Sequence, residues 1–128
     1  MNRRKVEAGF RKIKKAFPTA QMSNSYDTIL IPQVMLPRKF NLPYTPLLIK
    51  VHSFADYTRP DGYVDRDLKV YGEQSMHLDE ALTEDWALEN GWVKICLKRA
   101  GGEQEWHPSF NVDDFVIVCL NFLKDLRD

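Results

Sequence analysis

Three observations on this chain predict an α+β domain built on an antiparallel sheet. In the first seventeen residues Val6, Phe10, Ile13 and Phe17 recur at spacings of four, three and four, which draws one apolar stripe along a helix. From Tyr26 the pattern changes to short runs rich in β-branched and apolar residues, broken by prolines and turn signals. Towards the end helical spacing returns, with Phe115, Val118, Cys119, Phe122 and Leu126 on one face. An N-terminal helix, a four-stranded antiparallel meander, a loop-bearing functional segment and a buried C-terminal helix make one domain over residues 1–128.

Taken in order, the first helix ends at Pro18, which can neither donate to a continuing helix nor tolerate one behind it. Its other faces carry Arg3, Arg4, Lys5, Arg11, Lys12, Lys14 and Lys15 against a single Glu7. That is either a solvated face or a docking surface for an acidic partner, with Arg4, Arg11, Lys12 and Lys15 as its contact residues. Tyr26 to Leu36 reads as a strand with an edge position or bulge at Pro32, and Leu47 to Phe54 as a second; the prolines at 37, 43 and 46 mark the loop between them. Residues 55–63 hold Arg59-Pro60-Asp61-Gly62, a strong turn signal, and Asp67 to Gly72 alternates as a third strand. After Gly91, Val93, Ile95 and Leu97 alternate with Lys94, Cys96 and Lys98 in a fourth. Asn111 is placed to cap the closing helix, with Asp113 and Asp114 in its first turn near the positive end of the dipole.

Size and charge bound the function. A chain of 128 residues with 44% hydrophobic content buries about two-thirds of its unfolded surface and needs no staples. Eighteen basic and eighteen acidic residues cancel, so no global field argues for nucleic acid. The longest unbroken apolar run, Phe115 to Leu120, is far short of a membrane span. Two cysteines with no signal peptide point to a reducing, cytoplasmic setting. Cys-x-x-Cys, His-Glu-x-x-His and Gly-x-x-x-x-Gly-Lys are all missing, which leaves zinc and P-loop readings without support; no cofactor is expected.

The chemistry centres on Cys96. It lies on the non-core face of its strand beside Lys94 and Lys98, and nearby cations favour the thiolate, the nucleophilic form. A lone cysteine in a strand also serves as a small buried hydrophobe, and Cys119, on the apolar stripe of the last helix, takes that role. His52, His77 and His107 are the histidines that a cysteine-hydrolase arrangement would draw on, His77 being nearest in expected position.

The order Gly91, Ile95-Cys96-Leu97, a loop, Trp106-x-Pro108 and an apolar helix resembles the active-site segment of the ubiquitin-conjugating enzymes. The resemblance extends over roughly residues 2 to 127: a basic first helix, a strand running into Tyr57 and Pro60 where that family has Tyr-Pro-x-x-Pro-Pro, and His77 where it has His-Pro-Asn. It implies a fold of that type and a thioester on Cys96, formed with a protein C-terminal carboxylate and passed to an amine. His77, Asp79, Trp106 and Pro108 would support the active site, and the first helix would dock an activating enzyme.

His77-Leu78-Asp79 departs from His-Pro-Asn. The asparagine amide that helps hold the oxyanion in that family has no counterpart, because an ionised aspartate cannot donate and would repel the developing charge. Nineteen positions separate His77 from Cys96, a longer gap than usual, and residues 79–90 carry Asp79, Glu80, Glu84, Asp85 and Glu89, read as a solvated loop or helical turn, or as a substrate-steering lip. The closing helix is not followed by the two further helices of typical eukaryotic members. Short members resembling this chain occur in bacterial anti-phage operons, which implies as carboxylate donor either a ubiquitin-like protein or the C-terminus of a cyclic-oligonucleotide synthase (a CD-NTase cyclase). A non-catalytic relative of the same fold, holding a partner on its surface, is the other expectation.

Overall fold

The computed structural model describes residues 2–52, 58–97, 106 and 109–127. It is α+β, with an N-terminal helix, a five-stranded antiparallel sheet and a C-terminal helix. Helix α1 spans Arg3–Ala16, and Asn2 caps it by accepting a hydrogen bond from the Lys5 amide at 2.8 Å. Strands β1 (Gln21–Met22), β2 (Thr28–Met35), β3 (Tyr44–Lys50), β4 (Asp61–Asp65) and β5 (Trp92–Lys94) lie side by side in chain order. A short helix α2 (Asp85–Glu89), preceded by one 3₁₀ turn at Glu80–Leu82, leads into β5, and α3 (Val112–Asp125) closes the described chain. No described helix is long and apolar enough to cross a membrane.

The two sheet faces are unequal. Ile29, Ile31, Leu47, Ile49, Val64 and Val93 point to one side, where α1 and α3 complete the main core with Val6, Ile13, Phe115, Cys119 and Leu123. Leu48 and Tyr63 point to the other, where Ala87 of α2 covers them with Leu30 and Trp92 at the margin. A strand buried on both faces loses the clean alternation of a half-exposed one, and the run Leu47 to Ile49 shows it.

Two close approaches set how α3 sits. An added Cβ on Gly62 of β4 would stand 3.0 Å from Cys119 Sγ and 3.3 Å from Phe115 Cε2, so α3 lies directly on the strand backbone there. At Gly9 of α1 an added Cβ would stand 2.7 Å from Val112 Cγ2, and Asn111 Nδ2 donates to the Lys5 carbonyl at 2.7 Å, which locks the two helices together. Asn111 and Asp114 form a capping box at the head of α3, and the ammonium of Lys39 donates to the Lys124 and Leu126 carbonyls at its end.

Several expectations are corrected. The sheet has five strands, not four, since Gln21–Met22 adds a short edge to β2. The strand expected over residues 67–72 is absent: Leu68 and Val70 are buried, but Val70 makes only isolated bridges to Phe40 and Glu73. Its place is taken by Asp61–Asp65, whose Asp-Gly start reads as a turn although Gly62 pairs in extended register with Ile49. Pro46, expected in a loop, lies inside β3, which starts at Tyr44. Pro32 falls at the register shift between Ile31 and Val34, the bulge that was one of the two alternatives for it. On α3, Val116 and Leu123 are buried while Val118 is only half-buried, so the apolar face is broader than its predicted stripe.

Gly62→Ala is expected to cost about 1–3 kcal/mol by overpacking against Cys119. Chemical denaturation of Gly62→Ala, Cys119→Ala and the double variant checks this, because removing the sulfur must recover part of the loss as a coupling energy.

Candidate functional site

Cys96 sits two residues beyond the end of β5, and two backbone hydrogen bonds on opposite sides hold the chain there. The Ile95 amide donates to the Gly62 carbonyl at 2.9 Å, and the Cys96 amide donates to the His77 carbonyl at 2.8 Å. Leu78 and Ile95 form an antiparallel bridge, so residues 77–78 run along the free edge of β5. The same edge is covered further back, where the Lys94 amide donates to Thr83 Oγ1 at 3.0 Å. Val93, Ile95 and Leu97 are buried and Cys96 is half-buried, the alternation read from the sequence. Gly91 turns the chain into β5 at a φ of 84°, which a Cβ would disfavour.

The face that Cys96 shares with Lys94 carries a connected set of polar side chains. Lys94 Nζ binds the Glu84 carboxylate and lies 3.4 Å from Asp61 Oδ2. Glu84 also accepts from the Tyr63 hydroxyl at 2.8 Å, and Asp61 Oδ2 meets His52 Nε2 at 2.5 Å. Trp86 of α2 packs on Tyr63 with ring centroids 5.2 Å apart, and Lys50 Nζ lies 5.6 Å from the Trp86 ring centre. Arg66 secures the segment beneath, pairing with both Glu80 carboxylate oxygens and donating to the Leu88 carbonyl at 3.0 Å. Residues 79–90 are thus a folded turn and helix tied to the sheet.

This network changes the electrostatics expected at the thiol. Lys94 was read as a cation free to favour a thiolate, but two carboxylates engage it, and Lys94, Glu84 and Asp61 together carry one net negative charge. Burial alone would lower the Lys94 pKa, and the bond to Glu84 with the charge of Asp61 reverses this and raises it. Burial would raise Glu84, yet the hydrogen bonds from Lys94 and Tyr63 hold it below its ordinary value. Burial pushes the Tyr63 phenol strongly up, helped by its bond to Glu84.

The other residues singled out from the sequence divide. His77 meets Cys96 through its carbonyl, while its ring lies edge-on to Phe122 of α3 with centroids 6.4 Å apart. Asp79 caps the 3₁₀ turn by accepting from the Ala81 amide at 2.8 Å. Trp106 is half-buried and makes T-shaped contacts with Phe110 and Phe115 at 5.4 and 6.0 Å. Pro108 lies outside the described residues, as do Tyr57, Lys98 and His107. Arg4, Arg11, Lys12 and Lys15 are exposed on α1, where Arg11 pairs with Glu7 at 2.9 Å. Cys119 is fully buried, and burial pushes its thiol up to about 12.

We find no family model, curated protein or solved structure that matches this chain. What the site can do therefore rests on its own geometry. The half-buried thiol just beyond β5 lies on the sheet face that also carries the Asp61 carboxylate of β4 and, beyond the end of β3, the His52 imidazole, which are the group types that nucleophilic and proton-transfer chemistry draws on. No group of three or more metal-ligating side chains occurs among the described residues. Sequence reasoning missed Asp61 and Tyr63 as site residues, the pairing of His52, and the bonds that tie Glu84 of the acidic segment to Lys94 and Tyr63. Reading Asp61, Tyr63 and Asp65 as one face of a period-two strand would have found two of them.

Alkylation of the native protein is expected to label Cys96 well before Cys119, as followed by intact mass; the reverse order would make Cys96 a packing residue. The ion pair also sets a pH dependence. Glu84, with its pKa depressed, contributes stability that is present above the ordinary glutamate value and is lost as pH falls through the folded one. Lys94, with its pKa raised, contributes stability that is full below the ordinary lysine value and is lost as pH rises through the folded one. Thermal melts from acid to alkaline pH are expected to show both losses in the wild type and a flatter profile in Lys94→Met.

Proposed function

We propose that this chain is a cysteine-dependent acyl carrier and transferase of the ubiquitin-conjugating type, with Cys96 as the thioester-forming residue. The observation that carries the reading is the hydrogen bond from the Cys96 amide to the His77 carbonyl at 2.8 Å. Two positions matched separately to that family's motifs, nineteen residues apart in the chain, are backbone neighbours in the fold. The succession of basic helix, antiparallel meander, His77 segment, Cys96, Trp106 and closing helix supports the same reading.

In this reading the Cys96 sulfur attacks an activated C-terminal carboxylate and the activating group leaves. The resulting thioester holds the acyl carbon reactive towards an amine, and the protein's task is to position the two while limiting hydrolysis. The donor is a ubiquitin-like protein or the C-terminus of a cyclic-oligonucleotide synthase, delivered by an activating enzyme docked on Arg4, Arg11, Lys12 and Lys15 of α1. Asp79 cannot replace the missing asparagine, because it is an acceptor already engaged in capping. That capping role favours a second reading, a non-catalytic binding module of the same fold.

Incubation with a candidate donor and its activating system decides between them. The carrier reading expects an adduct that reducing agent removes, that Cys96→Ala abolishes and that Cys96→Ser either converts to a stable ester or abolishes. Binding that persists unchanged in Cys96→Ala, with no adduct in the wild type, would leave the module. Charge reversal at Arg11, Lys12 and Lys15 is expected to slow loading while shifting stability by no more than about 0.5 kcal/mol per substitution, since all three are exposed.

A further inference from the structure

The register of the sheet puts a histidine–aspartate pair on the same face as the thiol. Tyr63 pairs with Lys94, and the Ile95 amide bonds to the Gly62 carbonyl at 2.9 Å, which carries the β4–β5 register one residue further. The next step sets Asp61 opposite Cys96, on strands about 5 Å apart. Both belong to the face opposite Gly62 and Ile95, because Gly62 faces Cys119 and Phe115 of α3 and Ile95 is buried in the same core. Asp61 also pairs with Lys50 of β3, and His52, two residues on, returns to Asp61 Oδ2 at 2.5 Å. Across three strands the order is His52, Asp61, Cys96.

We propose that Asp61 and His52 form the acceptor side of the Cys96 centre: Asp61 receives and orients the incoming primary ammonium, and His52 takes the proton that converts it to an amine. This rests on the carrier reading above. With Asp61 accepting from the Nε2 proton, Nδ1 is the lone-pair nitrogen of His52. A proton passes from the ammonium to Nδ1, and the amine nitrogen then attacks the thioester carbon. The C–N bond forms, the C–S bond breaks, and the Cys96 sulfur leaves with the bonding pair, taking up the second proton from nitrogen. The imidazolium returns its proton to water. Asp61 suits this place because Lys94 and His52 fix its carboxylate from two sides, and His52, with 41% of its side chain exposed, is open to solvent. Among the described residues, the charged or titratable groups around the pair include Lys50 from β3, with Asp27 beside it, Tyr63 from β4, Lys94 from β5 and Glu84 ahead of α2.

The test needs no partner protein. Cys96 is loaded by exchange with the mercaptoethanesulfonate thioester of a Gly-Gly peptide, and discharge of the acyl group to free lysine is followed by intact mass across pH. Wild type is compared with Asp61→Asn, His52→Gln and, as a control at an exposed site, Glu73→Gln. Transfer to lysine is expected to fall by about tenfold or more in the first two variants and to hold in the third. Hydrolysis of the adduct is expected to change by less than about twofold, and the wild-type pH profile to show a break that His52→Gln loses. Transfer to lysine undiminished in Asp61→Asn and His52→Gln overturns the proposal and leaves the carrier reading standing. A Cys96 that alkylates readily but takes no acyl group overturns both. If Asp61→Asn melts at the assay temperature, the exposed His52→Gln variant decides.

Discussion

Helix α3 can lie on the sheet only because β4 has a hydrogen in place of a side chain at residue 62. Cys119 Sγ and the Phe115 ring occupy the room that a Cβ at Gly62 would need, and Ile95 closes the same contact from β5. That approach fixes the height of the helix over the sheet. The second close approach, at Gly9, fixes the helix against α1, and the Asn111 side chain joins their backbones. Side chains in such an interior interdigitate at crystal-like density, so neither contact can loosen without the other shifting. The buried cysteine is thus part of the fold's main constraint, and its apolar surroundings keep its thiol protonated.

The site follows from what this packing does on the other face. With Gly62 and Ile95 turned towards α3, their neighbours Asp61, Lys94 and Cys96 must turn away, since strand side chains alternate. Ionisable groups are costly to bury alone, and here they satisfy one another: Glu84, Lys94, Asp61, His52 and Tyr63 are joined in one chain of contacts. The helix that follows Glu84 covers Tyr63 with Ala87 and Trp86, so the longer connection between His77 and Cys96 completes the second face of the sheet.

The thiol environment differs from that of a cysteine flanked by unpaired cations. Lys94 is neutralised by two carboxylates, and the half-buried Cys96 shares its face of the sheet with an ion-paired network instead of an isolated cation. Residues 77–79, in turn, act through the backbone. The His77 carbonyl and the Asp79 cap shape the edge beside β5.

The amino-acid sequence by itself determined the two long helices, the alternation around Cys96, the burial of Cys119 and an irregularity at Pro32, either an edge position or a bulge, because each depends on local spacing or on a single residue's stereochemistry. Tertiary structure alone decided the rest. Asp61–Asp65 became a strand although Asp-Gly signals a turn, since a helix lying on Gly62 makes the missing side chain an advantage that no local pattern reveals. Leu68 and Val70 were legible as buried but not as irregular, because burial and strand pairing are separate demands. Lys94 was legible as a neighbour of Cys96, whereas its neutralisation was not: its partners come from positions 61 and 84, and electrostatic pairing depends on distance in space, which only the assembled sheet sets.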